Sequence, residues 1–575
     1  MIILGINCFG HDSAASFIID GKIAFACEEE RLNRKKHTGL LPILSIQEGM
    51  DSLGIKWGDI DHLTYSWNPT ITYMSMPKYA LKYFHRIPTL LREKESFSME
   101  ENLGMLNYLS DIRKIPKTLD KHFGQGKYKF HQLEHHSTHA ASAFYPSGFS
   151  ESAIITIDGA GEWATMTIQH GQELKIKKLL SVNTPHSLGA VYQAISVYLG
   201  FKRIEGPGKL MGLASYGNRD SEFYEKFKDM IKLLPNGAFE VDMSYFSYHY
   251  SRKSPVTQKF IKEFGEPVTD PGSWTPSQLE VAAAVQRRVE DVFLHMAKHA
   301  KSLTGSKNLV LAGGVALNSV ANGVIAKSRL FEQIFIQPAA GDSGTSAGGA
   351  LLVYHGLLNN PKPQKWDHAF LGPKYNEERI ELALKREKLN FKNLDSIELN
   401  DQVAELLNQG KIVAWFQGAM EFGPRALGNR SFLASPLVAE MKETLNRRVK
   451  FREDFRPFAA AILEEDQGKY LDFSAKNPYM LMVFNVREEM KKVIPAITHV
   501  DGTVRIQTVS SIENQKLYEL LNAFKTKTGH GIILNTSFNI KGEPIVCTPE
   551  DAISSYTKAD VDALVMENYI TVKDW

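Results

Sequence analysis

The chain has 575 residues, of which 43% are hydrophobic and 23% charged, as in ordinary globular proteins, and it is too long for one hydrophobic core. Its net charge of +2 at pH 7 argues against nucleic acid as a partner, because the chain as a whole carries almost no excess positive charge. A local basic patch would still be compatible with this net charge. Three cysteines far apart in sequence exclude a disulfide framework, and no apolar stretch approaches the ~18 residues of a membrane span. We therefore expect a cytoplasmic protein of two large domains, or of two domains plus a subdomain, with no membrane partner.

The first thirty residues predict three short strands, at 2–7, 14–20 and 22–30, with no basic leader before them. Asp20-Gly21 is a two-residue hairpin signal between the second and third strands. The polar elbow GHDSA (10–14) separates the first two. From this elbow His11 could reach into a cleft and take a proton from an attacking hydroxyl group, or it could end the strand with Asp12 in an Asx-type turn. The residues alone leave both interpretations open.

A charged run, RLNRKKHTG, follows at 31–39. This run contains Lys35, Lys36 and His37 and is either a solvated surface or a loop that reaches the phosphates of a nucleotide. The range 66–130 is rich in lysine and mostly helical in pattern, which predicts a helical insertion.

Four histidines fall within nine positions of the stretch HQLEHHSTHAASAFYPS, residues 131–147. If HSTHAASAF is a helix, His135 and His139 lie one turn apart on one face. They could be a solvated surface pair or could bind one metal ion. Small residues on the same helix and later carboxylates at Asp158 and Asp342 favour a site for iron, zinc or manganese.

A second strand, turn, strand pattern at 152–180 carries the elbow DGAGE where the first pattern has GHDSA, which suggests a duplicated fold. Buried strands at 308–314 and 333–354 then lead through glycine-rich turns into helices. Such turns offer backbone N–H groups to a phosphate, although neither matches a Walker or dinucleotide fingerprint.

The composition of residues 354–376 is that of a domain linker. Beyond it we predict a helix near 399–409, a strand at 411–418 and a polar segment at 421–431. Between positions 425 and 456 eight Lys or Arg residues stand against four acids, which suits a phosphorylated small molecule. With NTSFNIKGEPIV (535–546), the arginines 425, 456 and 505 predict a site for an anion or a planar carbonyl group.

Eight motifs occur in an order that resembles the NodU/CmcH carbamoyltransferase family. They are HDSAAS with EEERLNRKKH, EHHSTHAASAF, DGAGE, GKLMGLASYG, AGGVALN, EFGPRALGNRS, KFREDFRPFAA and LNTSFNIKGEPIV. The resemblance covers nearly the whole chain and is weakest at 66–130 and 220–275.

The resemblance implies an α/β protein with an actin-like ATPase (ASKHA, TsaD-like) domain at 1–357 and a smaller α+β YrdC-like domain at 371–575. The second domain would make carbamoyladenylate from carbamoyl phosphate and ATP, with Mg²⁺ on the ATP, and release pyrophosphate and phosphate. The first would pass the carbamoyl group to a hydroxyl of a small natural product, such as an antibiotic, or of a sugar, and AMP would leave. A homodimer is common for such enzymes.

The resemblance also implies roles for individual residues. The metal, iron(II) or another divalent transition metal, would be bound by His135, His139, Asp158 and Asp342. The nucleotide in the first domain would be lined by Lys36, His139, Ala140, Ala141, Gly314 and Asn318, with His11 at the acceptor hydroxyl. The carbamoyl phosphate and ATP pocket of the second domain would contain Arg425, Lys450, Arg456, Met480, Arg505, Asn535 and Ser537. Of these, His11, Lys36, Arg425 and Arg456 would be catalytic.

Two other functions remain open from the sequence. A tRNA threonylcarbamoyl transferase shares the metal-bearing fold but needs a basic RNA-binding surface, which the near-neutral charge disfavours. An actin-like regulatory ATPase would transfer nothing and would have no use for the second domain.

Overall fold

The structure, a computed structural model, describes residues 1–84, 105–251, 254–361 and 365–573. The chain divides into two compact units, Met1–Glu30 with His37–Trp366, and Arg31–Lys36 with Asp367–Trp575. Each unit combines helices with sheets, so the predicted α/β class is confirmed. No helix in the described ranges has the length and apolar character needed to cross a bilayer.

Two five-stranded sheets with the same topology organise the first unit. One has the order β3-β2-β1-β4-β5 and consists of β1 (Ile2–Asn7), β2 (Ala14–Ile19), β3 (Lys22–Glu28), β4 (His62–Tyr65) and β5 (Lys129–Gln132). The other has the order β8-β7-β6-β11-β12 and consists of β6 (Glu151–Ile157), β7 (Ala164–Gln172), β8 (Lys175–Asn183), β11 (Asn308–Ala312) and β12 (Gln333–Ile336). In each sheet the first strand in chain order pairs antiparallel with the second, and the second pairs antiparallel with the third. On its other side the first strand pairs parallel with the fourth, and the fourth pairs parallel with the fifth. This repetition is the arrangement expected of a duplicated fold.

Among the described residues up to 351, the α-helices are α1 (Glu29–Asn33), α2 (Ile43–Leu53), α3 (Pro69–Tyr83), α4 (Met105–Phe123), α5 (His135–Phe144), α6 (Leu188–Tyr198), α7 (Gly206–Leu213), α8 (Glu222–Met230), α9 (Gln258–Phe264), α10 (Pro276–Thr304), α11 (Ser319–Ser328) and α12 (Ser343–Leu351). A small hairpin, β9 (Ile231–Leu233) and β10 (Phe239–Val241), follows α8. Helices α3 and α4 lie in the range predicted as a helical insertion, and its residues 85–104 lie outside the described residues.

The predicted N-terminal strands are present, and local chemistry explains their ends. The apolar run of β1 is buried along most of its length, as expected for a central strand. Asp20 and Gly21 both have positive φ, 48° and 84°, which suits a tight two-residue hairpin turn. The third strand ends earlier than predicted because Glu29 leaves the sheet: its buried carboxylate accepts hydrogen bonds from the backbone N–H groups of Leu44 and Ser45, in the first turn of α2.

Helix α12 packs by its backbone against both α5 and β1. A Cβ atom on Gly348 would lie 2.0 Å from the carbonyl oxygen of Thr138 in α5. A Cβ atom on Gly5 in β1 would lie 1.9 Å from the carbonyl oxygen of Ser346. Only glycine allows these approaches, and they bring the start of α12 beside α5.

The second unit is built on one nine-stranded sheet of order β13-β21-β20-β14-β15-β19-β16-β18-β17. Its strands are β13 (Lys392–Asn393), β14 (Val413–Phe416), β15 (Arg430–Ala434), β16 (Ala459–Leu463), β17 (Met482–Asn485), β18 (Thr503–Val509), β19 (Ile532–Ser537), β20 (Ala563–Met566) and β21 (Tyr569–Val572). Its helices are α13 (Glu377–Arg386), α14 (Ser396–Asn408), α15 (Met441–Leu445), α16 (Gln467–Tyr470), α17 (Gln515–Thr528) and α18 (Pro549–Lys558). Apolar residues of α14 and α17 cover one face of the sheet around Trp415.

Candidate functional site

A cluster of two imidazoles and two carboxylates lies in the first unit. His135 and His139 are one turn apart on α5, with their Nε2 atoms 3.1 Å apart. Asp158 follows β6 and places Oδ2 3.0 Å from His139 Nε2. Asp342 precedes α12, and its Oδ1 lies 3.6 Å from the Nε2 atom of each histidine. One potential ligand atom from each residue lies within 4.8 Å of all the others.

Hydrogen bonds outside the cluster orient its members. His135 Nδ1 donates to the carbonyl oxygen of Ser66 at 3.2 Å, which leaves Nε2 as the basic nitrogen. Asp158 accepts from the backbone N–H of Gly159 at 2.5 Å and of Gly314 at 2.9 Å. The backbone N–H of His135 donates to the buried carboxylate of Glu162. The polar elbow DGAGE therefore supplies both a cluster member and its support.

The histidine next to the cluster has a different role. His136 places Nδ1 2.7 Å from Thr156 Oγ1 and Nε2 3.0 Å from the carbonyl oxygen of Ala164. Both ring nitrogens are thus committed to the second sheet. Burial lowers the pKa of His136 well below its ordinary value, aided by the charges of His135 and His139. His136 is therefore a neutral structural residue.

The carboxylates of the cluster favour positive charge between them. Burial lowers the pKa of His135, but the hydrogen bond and charge of Asp158 and the charge of Asp342 outweigh burial and raise it to about 9. Burial raises the pKa of Asp158, but the two histidines hold it well below its ordinary value. Asp342 Oδ1 is buried and has no hydrogen-bond partner among the described residues. An N/O donor set with an orphaned carboxylate oxygen and a demand for positive charge fits a divalent transition metal.

His11 lies at the edge of this cluster. Its Nε2 is 3.9 Å from Asp342 Oδ2, and its ring is 39% exposed. Burial lowers the pKa of His11, but the charge of Asp342 and the hydrogen bond to Asp12 outweigh burial and raise it to about 10. The first elbow therefore brings an accessible imidazole to the candidate metal centre.

The residues that the resemblance places around a nucleotide in the first domain do not form one cluster in the structure. Ala140 and Ala141 are fully buried on α5, and Gly314 contacts the cluster through Asp158. Asn318 caps α11 through the backbone N–H of Ala321 and exchanges hydrogen bonds with Gln286 at 3.0 and 3.2 Å. Its side chain is thus committed to a buried network.

Lys36 lies in the segment Arg31–Lys36, which groups with the second unit. Arg34 anchors this segment by donating to the carbonyl oxygens of Ile545 and Pro544 at 2.7 and 3.0 Å. The charge of Lys36 contributes to lowering the pKa of Lys450. Lys36 is therefore close to the basic residues of the second unit.

The second unit contains a cluster of cations, here called the cation pocket, in which Lys450 is buried and four arginines are half-buried: Arg425, Arg452, Arg456 and Arg505. Burial and the charge of Arg456 lower the pKa of Arg425 to about 10 and that of Arg452 to about 9. Burial and the charges of Arg425, Arg452 and Arg456 lower the pKa of Arg505. These groups repel one another, so an anion with several oxygens would relieve the repulsion.

Polar groups of β19 and the following loop border the cation pocket. Lys450 Nζ donates to the carbonyl oxygen and to Oγ of Ser537 and to two oxygens of Asn539. Asn535 donates to Gln507 Oε1 at 3.0 Å, whereas its own Oδ1 is buried without a hydrogen-bond partner in the described chain. Met480 is buried with a positive φ of 59°.

Of three residues that the structure brings to these clusters, Glu162 and Arg452 received no individual role from the sequence, and Asp12 was considered only in an Asx-type turn. Glu162 and Asp12 support the histidine and carboxylate cluster, and Arg452 belongs to the cation pocket. Each lies inside a quoted motif, DGAGE, HDSAAS and KFREDFRPFAA. The motifs were therefore the only sequence feature that pointed to these residues. Within each motif, the contacts in the folded chain distinguish the residue at the cluster from its neighbours.

Comparisons with known proteins identify the family of the chain. The family model Carbamoyltransferase N-terminus matches residues 2–351, and the model Carbamoyltransferase C-terminus matches residues 404–573. A Synechocystis protein without an assigned function is 39% identical over 99% of this chain and 96% of its own length. Nodulation protein NolNO of Sinorhizobium fredii is 36% identical over 99% of this chain and 80% of its own. The 3'-hydroxymethylcephem-O-carbamoyltransferase of Amycolatopsis lactamdurans is 26% identical over 77% of this chain and 81% of its own. The chain therefore belongs to the NodU/CmcH carbamoyltransferase family and is a transferase.

Proposed function

We propose that the protein transfers a carbamoyl group from carbamoyl phosphate, through carbamoyladenylate made with ATP, to a hydroxyl of a small natural product or sugar. The observation that carries this proposal is that each unit holds its own chemical centre. The second unit has a cation pocket for phosphorylated substrates, and the first has a histidine and carboxylate cluster beside an accessible imidazole. The repeated topology of the first unit supports an actin-like ATPase fold for it, and we propose a YrdC-like fold for the second.

In the second unit the cation pocket would bind carbamoyl phosphate and the phosphates of ATP, with Mg²⁺ on the latter. Water would cleave carbamoyl phosphate to carbamate and phosphate. A carbamate oxygen would then attack the α-phosphorus of ATP. The bond between the α-phosphorus and the oxygen that bridges to the β-phosphate would break, and pyrophosphate would leave. Arg425 and Arg456 would stabilise the charge that develops on the phosphate oxygens. Lys36, close to this pocket in the structure, would contribute a further positive charge.

In the first unit His135, His139, Asp158 and Asp342 would bind a divalent transition metal, for example iron(II). Such a metal supplies positive charge that polarises a carbonyl or phosphoryl oxygen. With the negative charges of Asp158 and Asp342 offset by the metal, the pKa of His11 would fall from its raised value, and the neutral imidazole would accept the proton of the acceptor hydroxyl as that oxygen bonds to the carbamoyl carbon. The bond from that carbon to the phosphate oxygen would break, and AMP would leave with the bonding electrons. The products are the carbamate ester and AMP.

The cellular setting and the acceptor belong to the proposal as well. The 3'-hydroxymethylcephem-O-carbamoyltransferase among the relatives supports a hydroxylated small molecule as acceptor. We propose that the enzyme works in the cytoplasm, as a homodimer, with no nucleic acid or membrane partner.

The test separates the two half-reactions. Protein incubated with carbamoyl phosphate and ATP, without acceptor, should release pyrophosphate and form carbamoyladenylate that mass spectrometry detects. Arg456→Ala should abolish this step, whereas Arg386→Ala, which removes an exposed arginine on α13, should not.

His139→Ala should form the intermediate normally but fail to carbamoylate members of a panel of hydroxylated sugars and natural products. The matched control is His122→Ala, an exposed histidine on α4. The proposal is wrong if wild-type protein releases no pyrophosphate in a carbamoyl phosphate-dependent manner. Carbamoylation of added tRNA in place of every small acceptor would favour the threonylcarbamoyl alternative.

A further inference from the structure

We propose that Asp12 and His37 are positioning residues for the transfer step, because they hold the His11 imidazole with Nε2 directed toward the acceptor hydroxyl. This inference rests on the proposed function, in which His11 accepts the proton of that hydroxyl. It gives roles to a carboxylate of the first elbow and to a histidine at the end of the basic run.

The three side chains form a hydrogen-bonded chain within the first unit. His11 Nδ1 lies 3.0 Å from Asp12 Oδ2, and His37 Nδ1 lies 2.7 Å from Asp12 Oδ1. Each carboxylate oxygen of Asp12 therefore accepts from one imidazole. Burial raises the pKa of Asp12, but the two histidines hold it well below its ordinary value, so the carboxylate is ionised.

This chain selects the tautomer of His11. Because Nδ1 donates to the ionised carboxylate, Nε2 is the nitrogen left to accept a proton. Nε2 is also the nitrogen that faces Asp342, at 3.9 Å from its Oδ2. The basic atom of His11 thus points to the side of the ring where the candidate metal centre lies.

The backbone holds both supporting residues in an unusual conformation. Asp12 and His37 have positive φ angles of 52° and 57°. Residues other than glycine rarely have a positive φ, since this backbone conformation costs on the order of 1 kcal/mol for each residue. Such residues are more frequent at functional sites than elsewhere.

Contacts on both loops stabilise that conformation. The backbone N–H of His37 donates to Glu30 Oε2 at 2.5 Å. The backbone N–H of Ser13 donates to the carbonyl oxygen of Thr38 at 3.0 Å, which ties the two loops together. The buried Asn7 donates through Nδ2 to the carbonyl oxygens of His11 and Asp12 at 3.1 and 3.2 Å. The loops are therefore held in the geometry that the chain of hydrogen bonds requires.

An Asx-type turn and a second cation site are the alternatives to a positioning role for Asp12. An Asx-type turn would use the Asp12 carboxylate for a nearby backbone N–H, whereas both of its oxygens are engaged by imidazoles. A cation site is conceivable because ligand atoms of Asp12, Glu30 and His37 lie within 4.8 Å of one another. Metal content of the variants distinguishes a cation site from a positioning role.

The experiment compares Asp12→Asn, His37→Ala and His37→Asn with wild type. Asparagine at position 12 can donate to His11 and thereby favour the wrong tautomer, so kcat for carbamoyl transfer should fall by ~100-fold or more. His37→Ala should lower kcat by roughly 10-fold, and His37→Asn should recover most of that loss, because its amide can donate to Asp12 as the imidazole does. KM for the acceptor should change less than about 3-fold, since binding groups remain.

Three further measurements complete the test. Carbamoyladenylate formation without acceptor, a step assigned to the second unit, should be unchanged in all three variants, and an unfolding temperature equal to that of wild type should show that the first unit is folded. Metal content should match wild type, and Asp20→Asn, which changes a 74% exposed carboxylate after β2, should behave as wild type. Wild-type kcat in the variants, no recovery in His37→Asn, or loss of metal in parallel with kcat would each overturn the positioning role. A wild-type enzyme that carbamoylates no acceptor would instead overturn the proposed function itself.

Discussion

Replacing Arg425 by methionine should stabilise the protein in the absence of an anion and weaken its response to one. The cation pocket holds several like charges, and burial with the charge of Arg456 lowers the pKa of Arg425 from its ordinary value of 12.5 to about 10. The Nε atom of Arg425 is buried and donates to no described residue. Methionine retains the apolar stem but removes the charge.

The magnitude follows from the lowered pKa. The protonated guanidinium is less stable in the folded than in the unfolded state at every pH below about 10, and this cost fades only as the pH rises toward 12.5. A change of this size corresponds to about 3 kcal/mol at most, and solvent screening of the half-buried side chain reduces the expected gain to roughly 1–3 kcal/mol. At ~2–4 °C per kcal/mol, the unfolding temperature should rise by several degrees.

The assay is thermal unfolding of wild type, Arg425→Met and the exposed control Arg386→Met, each with and without inorganic pyrophosphate. Wild type and the control should be stabilised by pyrophosphate, since a ligand that binds only the folded state raises its stability by mass action. Arg425→Met should begin at a higher unfolding temperature and gain little. The reasoning is refuted if Arg425→Met is less stable than wild type without an anion and gains as much from pyrophosphate.

Three shorter predictions test the rest of the molecule. His135→Ala should lower the affinity for a divalent transition metal by more than ~100-fold, whereas His122→Ala should not, and equal metal content in both would contradict a site on α5. Burial lowers the pKa of His499 from 6.5 to about 4, so between pH 6.5 and pH 4 the unfolded state binds more protons than the folded state. The free energy of unfolding should therefore fall by roughly 2–3 kcal/mol as the pH is lowered through this range. His499→Gln should lose this pH dependence in denaturant titrations at pH 7.5 and 4.5. Gly348→Ala should destabilise the first unit by about 2–4 kcal/mol and lower its metal content, whereas Gly208→Ala, whose Cβ would meet nothing within 4 Å, should be neutral or stabilising in the same titration.

Local chemistry allowed much of the fold to be predicted. Apolar runs and the Asp20-Gly21 turn located the first strands, and the spacing of His135 and His139 already placed them on one face of a helix. The order of the motifs was enough to indicate the family, which the two matched family models confirm. Such features can be read from sequence because periodicity and turn preferences depend on neighbouring residues.

Contacts between distant residues were decided only by the tertiary structure. Asp342 meets the histidines of α5 because Gly348 allows the backbone of α12 to approach α5 closely, and no local pattern encodes that distance. Asp158 reaches the same histidines from the end of β6, which is likewise a contact between residues distant in sequence. In the same way, Arg452 is one of the eight basic residues that the sequence places between positions 425 and 456. Only its partial burial beside Arg456 in the folded chain makes it part of the cation pocket. The sequence therefore determined which elements form and which chemical groups they carry. Chain topology and burial determined which of those groups act together, because electrostatic and hydrogen-bond effects depend on separation in space rather than along the chain.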